Sequence, residues 1–170
     1  MAADSVERQI LIEASPEVVW RVITEPEQIS CWFSDEADVD ARAGADGTLT
    51  WTPGGRGAHK GTDLVVQIRV IDAEPFRRFA FRWNHPDGVQ PDESNSALVE
   101  FSLNEEAAGT RLTVLESGIG AVTGDEQDNA RYVEEHAQGW QRHLGEMRDH
   151  VASTRREDIP RQAAPGEATR

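Results

Sequence analysis

The sequence is about one domain long and strongly acidic. Its 170 residues fit a single domain with a substantial core, and 17 lysines and arginines against 31 aspartates and glutamates give a formal net charge of -14. Nucleic acids and anionic membranes attract clustered basic residues, so we expect neither as a partner. No apolar run approaches the roughly 18 residues of a membrane span, and the first residues lack the basic and apolar regions of a signal peptide. The composition therefore predicts a cytoplasmic protein, whose one cysteine, Cys31, leaves no partner for an internal disulfide.

The N-terminal part predicts a strand followed by two short helices. After a five-residue extension, apolar and polar residues alternate over 6–14, as in a strand with one buried face. Ser15 then suits the N-cap of a helix and Pro16 its first turn. A second helical turn is predicted after Pro26, with Trp32 and Phe33 near its end.

The next segment is acidic and then rich in glycine. The acidic residues over 35–40 do not have the glycine and terminal glutamate that a calcium-binding loop needs at fixed offsets, so we expect a solvated loop. The glycine-rich run that ends at Gly61 lacks the spacing of a phosphate-binding loop, and a flexible turn is the better interpretation.

The middle of the chain predicts a series of antiparallel hairpins. Phe79, Phe81 and Trp83 alternate with Arg78, Ala80 and Arg82, which places the three aromatic rings on one face of a strand. Turn residues separate this strand from its neighbours. The predicted strands cover 47–53, 63–72, 76–84, 97–103 and 110–118.

The C-terminal part predicts one long amphipathic helix over 123–154. Thr123 and Glu126 have the spacing of a capping box, and the helix contains no proline. The residues after it, 155–170, have almost no large apolar side chains, so we expect a disordered tail. The single domain is thus predicted to cover 6–154.

Three histidines follow one another at every seventh position of this helix, at His136, His143 and His150. Seven helical residues rise about 10.5 Å, too far for the three to share one metal ion. The row borders the apolar stripe of the helix and is either the edge of a packed face or the wall of a pocket. We expect no metal and no cofactor.

The chain resembles the SRPBCC superfamily in four segments: ASPEVVWRVITEPEQISCWF, EPFRRFAFRW, TRLTVLESG and GWQRHLGEM. Within it the chain looks like the branch named after the activator of the heat-shock-protein-ninety ATPase, over about residues 6–153. The resemblance implies an α+β helix-grip fold, shared with the birch-pollen allergen. In that fold a curved antiparallel β-sheet wraps around a long C-terminal α-helix, and two short helices follow the first strand.

The helix-grip fold implies an internal space between the sheet and the long helix. Such a space is either an apolar ligand cavity or a core filled by the protein's own aromatic side chains. Trp32 is expected beside the mouth, and Val114 among the inward-facing residues. The resemblance implies these ligand-binding candidates: Trp32, Trp51, Phe79, Phe81, Trp83, Phe101, Glu116, His136, Trp140 and His143.

Three functions from different classes are compatible with this sequence. The first is a small-molecule binding domain, monomeric or homodimeric, with an internal hydrophobic cavity for a lipid-like or aromatic ligand. The second is an enzyme similar to polyketide cyclases and aromatases, for which Glu116, His136 and His143 are the acid–base candidates. The third, taken from the branch name alone, is a protein that regulates a chaperone ATPase.

Overall fold

A computed structural model describes residues 4–56 and 60–158 of the chain. Seven strands, three α-helices and one 3₁₀ turn follow one another in these ranges. Their bounds are β1 (Ser5–Ile12), α1 (Pro16–Thr24), α2 (Pro26–Ile29), β2 (Glu36–Asp38), β3 (Asp46–Trp51), β4 (Leu64–Glu74), β5 (Arg78–Trp83), β6 (Ala97–Glu106), β7 (Gly109–Ser117), the 3₁₀ turn (Ile119–Ala121) and α3 (Glu126–Asp158).

The strands form one curved sheet in the order β1-β7-β6-β5-β4-β3-β2. Every neighbouring pair is antiparallel. The first strand pairs with the last, so the meander from β2 to β7 is extended at its β7 edge by β1. With α3 packed on β1 and two short helices after β1, the predicted α+β helix-grip architecture is confirmed.

The core lies between the concave face of the sheet and one face of α3. The three aromatic residues predicted on one face of β5, Phe79, Phe81 and Trp83, are all buried, and the arginines between and before them are partly exposed, but Ala80 is buried as well. The predicted apolar stripe of the helix is also buried against the sheet. Its buried members are Trp140, Leu144, Met147 and Val151.

The start of α1 follows from its local sequence. Ser15 has extended backbone angles, its Oγ accepts a hydrogen bond from the Val18 N–H at 3.4 Å, and Pro16 opens the first turn. Glu25 then adopts an extended conformation, and Pro26 begins α2. This second helix ends at Ile29, earlier than predicted.

Two other predictions from the sequence need correction. Part of the acidic segment predicted as a loop is the short strand β2, which pairs with β3. The N-cap of α3 is Asp125, whose Oδ1 accepts from the Asp128 N–H at 2.8 Å, and not Thr123. The Thr123 hydroxyl is instead bonded to the Ile119 carbonyl oxygen at 3.3 Å, because the 3₁₀ turn immediately precedes it.

The predicted domain limits shift at both ends. The first strand begins at Ser5, inside the predicted N-terminal extension, and α3 continues to Asp158, beyond the predicted boundary at Thr154. The rest of the predicted tail, 159–170, lies outside the described residues. In the described part of the chain, no helix is both long enough and apolar enough to cross a membrane.

Candidate ligand-binding site

A cavity of about 360 Å³ lies between β3, β4 and β5 on one side and α3 on the other, and it opens to the surface. Its walls are mostly apolar, with a few polar side chains on the helix side. The lining residues are Phe33, Trp51, Leu64, Val66, Trp83, Asn84, Glu135, His136, Gly139, Trp140 and His143.

Aromatic rings form most of the wall and hold one another in place. Phe33 stacks on Trp140 with ring centroids 5.2 Å apart and meets Trp51 edge to face at 5.3 Å. Trp83 lies 5.8 Å from Trp140. Because each ring packs on at least one other, the apolar wall is a preformed surface.

The three tryptophan N–H groups at the wall all have partners within the protein. Trp51 donates to the Phe33 carbonyl oxygen at 2.9 Å. Trp83 and Trp140 each donate to a carboxylate oxygen of Glu116, both at 2.9 Å. The indoles therefore present carbon surface to the cavity.

Glu116 is the polar centre behind this wall. Its side chain is 0% exposed and comes from β7. In addition to the two indoles, its Oε2 accepts from the Tyr132 hydroxyl at 2.6 Å and its Oε1 is 2.7 Å from His136 Nδ1. Each carboxylate oxygen thus has two hydrogen-bond partners, and these bonds join β5, β7 and α3 at one point.

The hydrogen bonds decide the charge of this carboxyl group. Burial by itself raises the pKa of Glu116, but the hydrogen bond and Coulombic attraction from His136, with the bonds from Tyr132 and Trp140, outweigh it and place the pKa below its usual value. Burial and the charge of Glu116 raise the pKa of Tyr132, which stays protonated and donates. Glu116 is therefore an ionised acceptor at neutral pH.

The same bonding fixes the tautomer of His136. An ionised carboxylate can only accept, so the hydrogen between it and the imidazole belongs to His136 Nδ1. The ring stacks on Tyr132 with centroids 3.7 Å apart, which holds its orientation. The nitrogen left to a ligand is therefore Nε2, on a residue that lines the cavity.

His143 contributes a second imidazole at the wall and is 7% exposed. Its Nδ1 lies 3.3 Å from the Trp32 carbonyl oxygen, which can only accept. Burial and then the positive charge of Arg142 lower the pKa of His143, so the ring is neutral at neutral pH. His150, the third of the row, bonds Gln28 at 2.7 Å and is not part of the cavity lining.

One acidic residue of the predicted solvated loop has a structural role beside the cavity. Asp35 accepts hydrogen bonds from the backbone N–H groups of Thr52 and Arg56, at 2.8 and 3.1 Å. The bond from Thr52 is the main reason that the pKa of Asp35 lies below its usual range. These hydrogen bonds to Asp35 therefore stabilise the turn that follows Trp51 at the end of β3.

The structure brings together only part of the predicted site. Trp51, Trp83, His136, Trp140 and His143 line the cavity. Glu116, Phe79, Phe81, Phe101 and Val114 are buried and do not belong to the lining.

Trp32 is not at the mouth of the cavity, contrary to expectation. It is 1% exposed, and its indole donates to the Val22 carbonyl oxygen at 2.9 Å. Because α2 ends at Ile29, the following turn directs Phe33 to the cavity wall.

Several lining residues were not predicted from the sequence: Phe33, Leu64, Val66, Asn84, Glu135 and Gly139. For Gly139 a signal was present, since a glycine inside a helix is costly and calls for an explanation. The others follow only from how the turn after α2, the start of β4 and the end of β5 meet α3.

A wider groove of about 740 Å³ lies between α1 and the turn joining β6 to β7. Four glutamates line it, at Glu13, Glu25, Glu105 and Glu106, and no aromatic side chain does among the described residues. The surface of this groove is more polar than apolar, whereas that of the aromatic cavity is mainly apolar, so we place the candidate site in the aromatic cavity.

The family follows from a match over most of the sequence. A family model described as "Activator of Hsp90 ATPase homolog 1-like protein" matches residues 13–152. The chain belongs to this family. Among curated proteins, none matches its sequence significantly.

Solved structures of similar fold include proteins from several bacteria. Protein MLL2253 from Mesorhizobium loti is 20% identical with a TM-score of 0.68, over 88% of this chain and 98% of that one. Protein NE0264 from Nitrosomonas europaea is 16% identical with a TM-score of 0.71, over 89% and 96%. DynU16, a putative protein in the dynemicin biosynthetic locus, is 24% identical with a TM-score of 0.69, over 89% of this chain and 48% of that one. At these identities the likeness shows the fold.

Proposed function

We propose that this member of the family binds a small lipid-like or aromatic molecule in the cavity between the sheet and α3. The observation that carries the proposal is the cavity itself, about 360 Å³ with a wall of Phe33, Trp51, Trp83 and Trp140. Binding pockets for small molecules typically have about 300–1,000 Å³, apolar walls and a few polar groups that orient the ligand. The two imidazoles supply such polar groups here.

Gly139 supports an open cavity. It lies within α3 on the cavity wall, and a Cβ added there would meet no atom within 4 Å. Glycine destabilises a helix interior by about 1 kcal/mol relative to alanine. Its presence leaves space in front of Trp140 that a larger side chain would occupy.

A substitution at this glycine tests the proposal without removing any existing contact. We expect Gly139→Leu to fill the cavity and to weaken binding of the fluorescent hydrophobe 1-aminoanthracene at least tenfold, measured by fluorescence titration. The variant should remain folded, because leucine is a better helix former than glycine.

Gly145→Leu is the matched control. Gly145 is also a glycine inside α3 with open space at its Cβ position, but it is not part of the cavity lining. It should bind the dye as the wild type does. Unchanged binding by Gly139→Leu, or no binding of 1-aminoanthracene by the wild type, would contradict the proposal.

A specific observation also favours a second function, a proton transfer of the kind used by polyketide cyclases. The Glu116–His136 pair has the arrangement in which a carboxylate holds an imidazole through Nδ1 and leaves Nε2 for proton transfer. His136 Nε2 would take a proton from a carbon next to a ligand carbonyl, and the resulting enolate would regain one from solvent. Deuterium exchange at C1 of 2-tetralone, followed by NMR, tests it; a rate equal in the wild type and His136→Asn would oppose it.

The third hypothesis, regulation of a chaperone ATPase, stays a prediction from the family resemblance. Among the described residues we find no surface feature specific for such a partner.

A further inference from the structure

We propose that the cavity selects apolar aromatic ligands that carry a hydroxyl group, a phenol or an enol, and that His136 Nε2 accepts the hydrogen bond from this hydroxyl. The inference rests on the proposed binding function and adds the chemical class of the ligand. The cavity wall still has more hydrogen-bond acceptors than donors available to a ligand.

The wall has few donors to offer. The N–H groups of Trp51, Trp83 and Trp140 already donate within the protein. Asn84 uses one N–H on the Tyr132 hydroxyl at 2.8 Å and keeps a second. A ligand that has only hydrogen-bond acceptors therefore meets few free donors on the tryptophan side of the cavity.

Acceptors, in contrast, are well represented. With its Nδ1–H donated to Glu116, His136 has only Nε2 left for a ligand, and in the uncharged ring this nitrogen carries a lone pair. Neutral His143 likewise has its Nδ1 at the Trp32 carbonyl oxygen and an acceptor at Nε2. Glu135, on the same helix, adds a carboxylate to the lining.

Of the two imidazoles, His136 is the one that a carboxylate holds in place. Glu116 bonds its Nδ1 at 2.7 Å, which leaves Nε2 for a ligand, and the side chain of His136 is more accessible than that of His143, 25% against 9% exposed. His143 Nδ1 lies 3.3 Å from a backbone carbonyl oxygen and 3.7 Å from Glu146 Oε2, and burial lowers the pKa of this histidine. The hydroxyl group of a ligand should therefore pair with His136.

The charged groups around His136 are consistent with a shared proton. Glu116 faces the ring from β7, whereas Tyr132 and Glu135 lie on its own helix and His143 lies two turns further along. When the ligand hydroxyl donates to Nε2, the proton can stay on the ligand or move to the imidazole. The second case pairs a phenolate with an imidazolium already bound to Glu116, and both cases keep the same atoms in contact.

The test compares three bicyclic probes of the same shape: 2-naphthol, 2-methoxynaphthalene and naphthalene. Binding is measured by isothermal titration calorimetry at about pH 8, above the ordinary histidine pKa. We expect 2-naphthol to bind the wild type at least tenfold more tightly than its methyl ether or naphthalene, because only the naphthol satisfies Nε2. In His136→Asn the three affinities should become similar.

His136→Asn is chosen because its amide can still donate to Glu116 while no atom remains at the Nε2 position. Unchanged naphthalene binding by this variant shows that its cavity is intact. His143→Asn changes the second imidazole of the cavity wall, so the affinities for all three probes should change together while the preference for 2-naphthol stays in place.

The outcomes separate the two proposals. Equal affinities of the wild type for 2-naphthol and 2-methoxynaphthalene would overturn the hydroxyl preference while leaving ligand binding intact. A preference that survives in His136→Asn and disappears in His143→Asn would overturn the assignment to His136. If the wild type binds none of the three probes, the binding function itself fails, and this inference with it.

Discussion

Replacing Glu116 by glutamine tests the role of the buried carboxylate with a side chain of almost the same shape. The change turns one carboxylate oxygen into an NH₂ group, which cannot accept a hydrogen bond. Each oxygen accepts from one indole, which can only donate, and from one group that can also accept, His136 or Tyr132. Either orientation of the amide therefore leaves one indole N–H without an acceptor, and both indoles are buried, which denies them water as a substitute.

The size of the effect follows from the bonds that are lost. A hydrogen bond to a charged group contributes about 1.5–3 kcal/mol, so losing the bond of one buried indole gives a destabilisation of at least about 1.5–3 kcal/mol. A typical domain has a free energy of unfolding of about 5–15 kcal/mol. We therefore expect Glu116→Gln to lose a large fraction of the stability of the domain.

Urea unfolding, followed by tryptophan fluorescence, measures this loss. Glu106→Gln is the control, because Glu106 is exposed and its ion pair with Arg111 lies at the surface, where such pairs contribute little. The pKa of Glu116 is lowered on folding, so its contribution is present above the unfolded value and is lost as the pH falls through the folded value. In Glu116→Gln, the loss of stability that comes from protonating Glu116 as the pH falls should be absent. A stability within about 1 kcal/mol of the wild type would refute the proposed role of the four bonds.

Two further predictions concern the tryptophans and the second imidazole. Trp32→Ala and Trp83→Ala should each lower the free energy of unfolding by about 3–5 kcal/mol, since both indoles are buried; an unaffected Trp32→Ala in urea unfolding would contradict the observed burial. The pKa of His143 is lowered on folding, so the stability linked to its neutral ring is present above the unfolded value, about 6.5, and is lost as the pH falls below it. The drop in melting temperature between about pH 7.5 and pH 5.5 should therefore be smaller in His143→Asn, and equal drops would contradict this linkage.

Local sequence patterns determined most of the secondary structure. The Ser15–Pro16 pair marks a helix start through the hydrogen-bonding capacity of serine and the fixed backbone angle of proline, both properties of neighbouring residues. Likewise, the alternation along β5 and the apolar stripe of α3 report which faces are buried, because each element has its own period. The family resemblance then supplied the arrangement of these elements.

Local patterns failed where two neighbouring signals competed. Thr123 and Asp125 both have a side chain suited to a helix N-cap, and the sequence does not show which of them the preceding turn will use. The 3₁₀ turn at Ile119–Ala121 decides it, by bonding Thr123. The early end of α2 similarly places Trp32 in the core and Phe33 at the cavity.

The site itself depends on contacts between distant parts of the chain. The sequence identified Glu116, His136 and Trp140 as candidates, but only the tertiary structure shows that one carboxylate binds four donors lying 16 to 33 residues away from it along the chain. Those bonds determine that Glu116 is ionised and that Nε2 of His136 is the nitrogen left to a ligand. Residue types and helix periodicity place a side chain on a face, whereas its protonation state and partners depend on what the opposite surface brings within hydrogen-bonding distance.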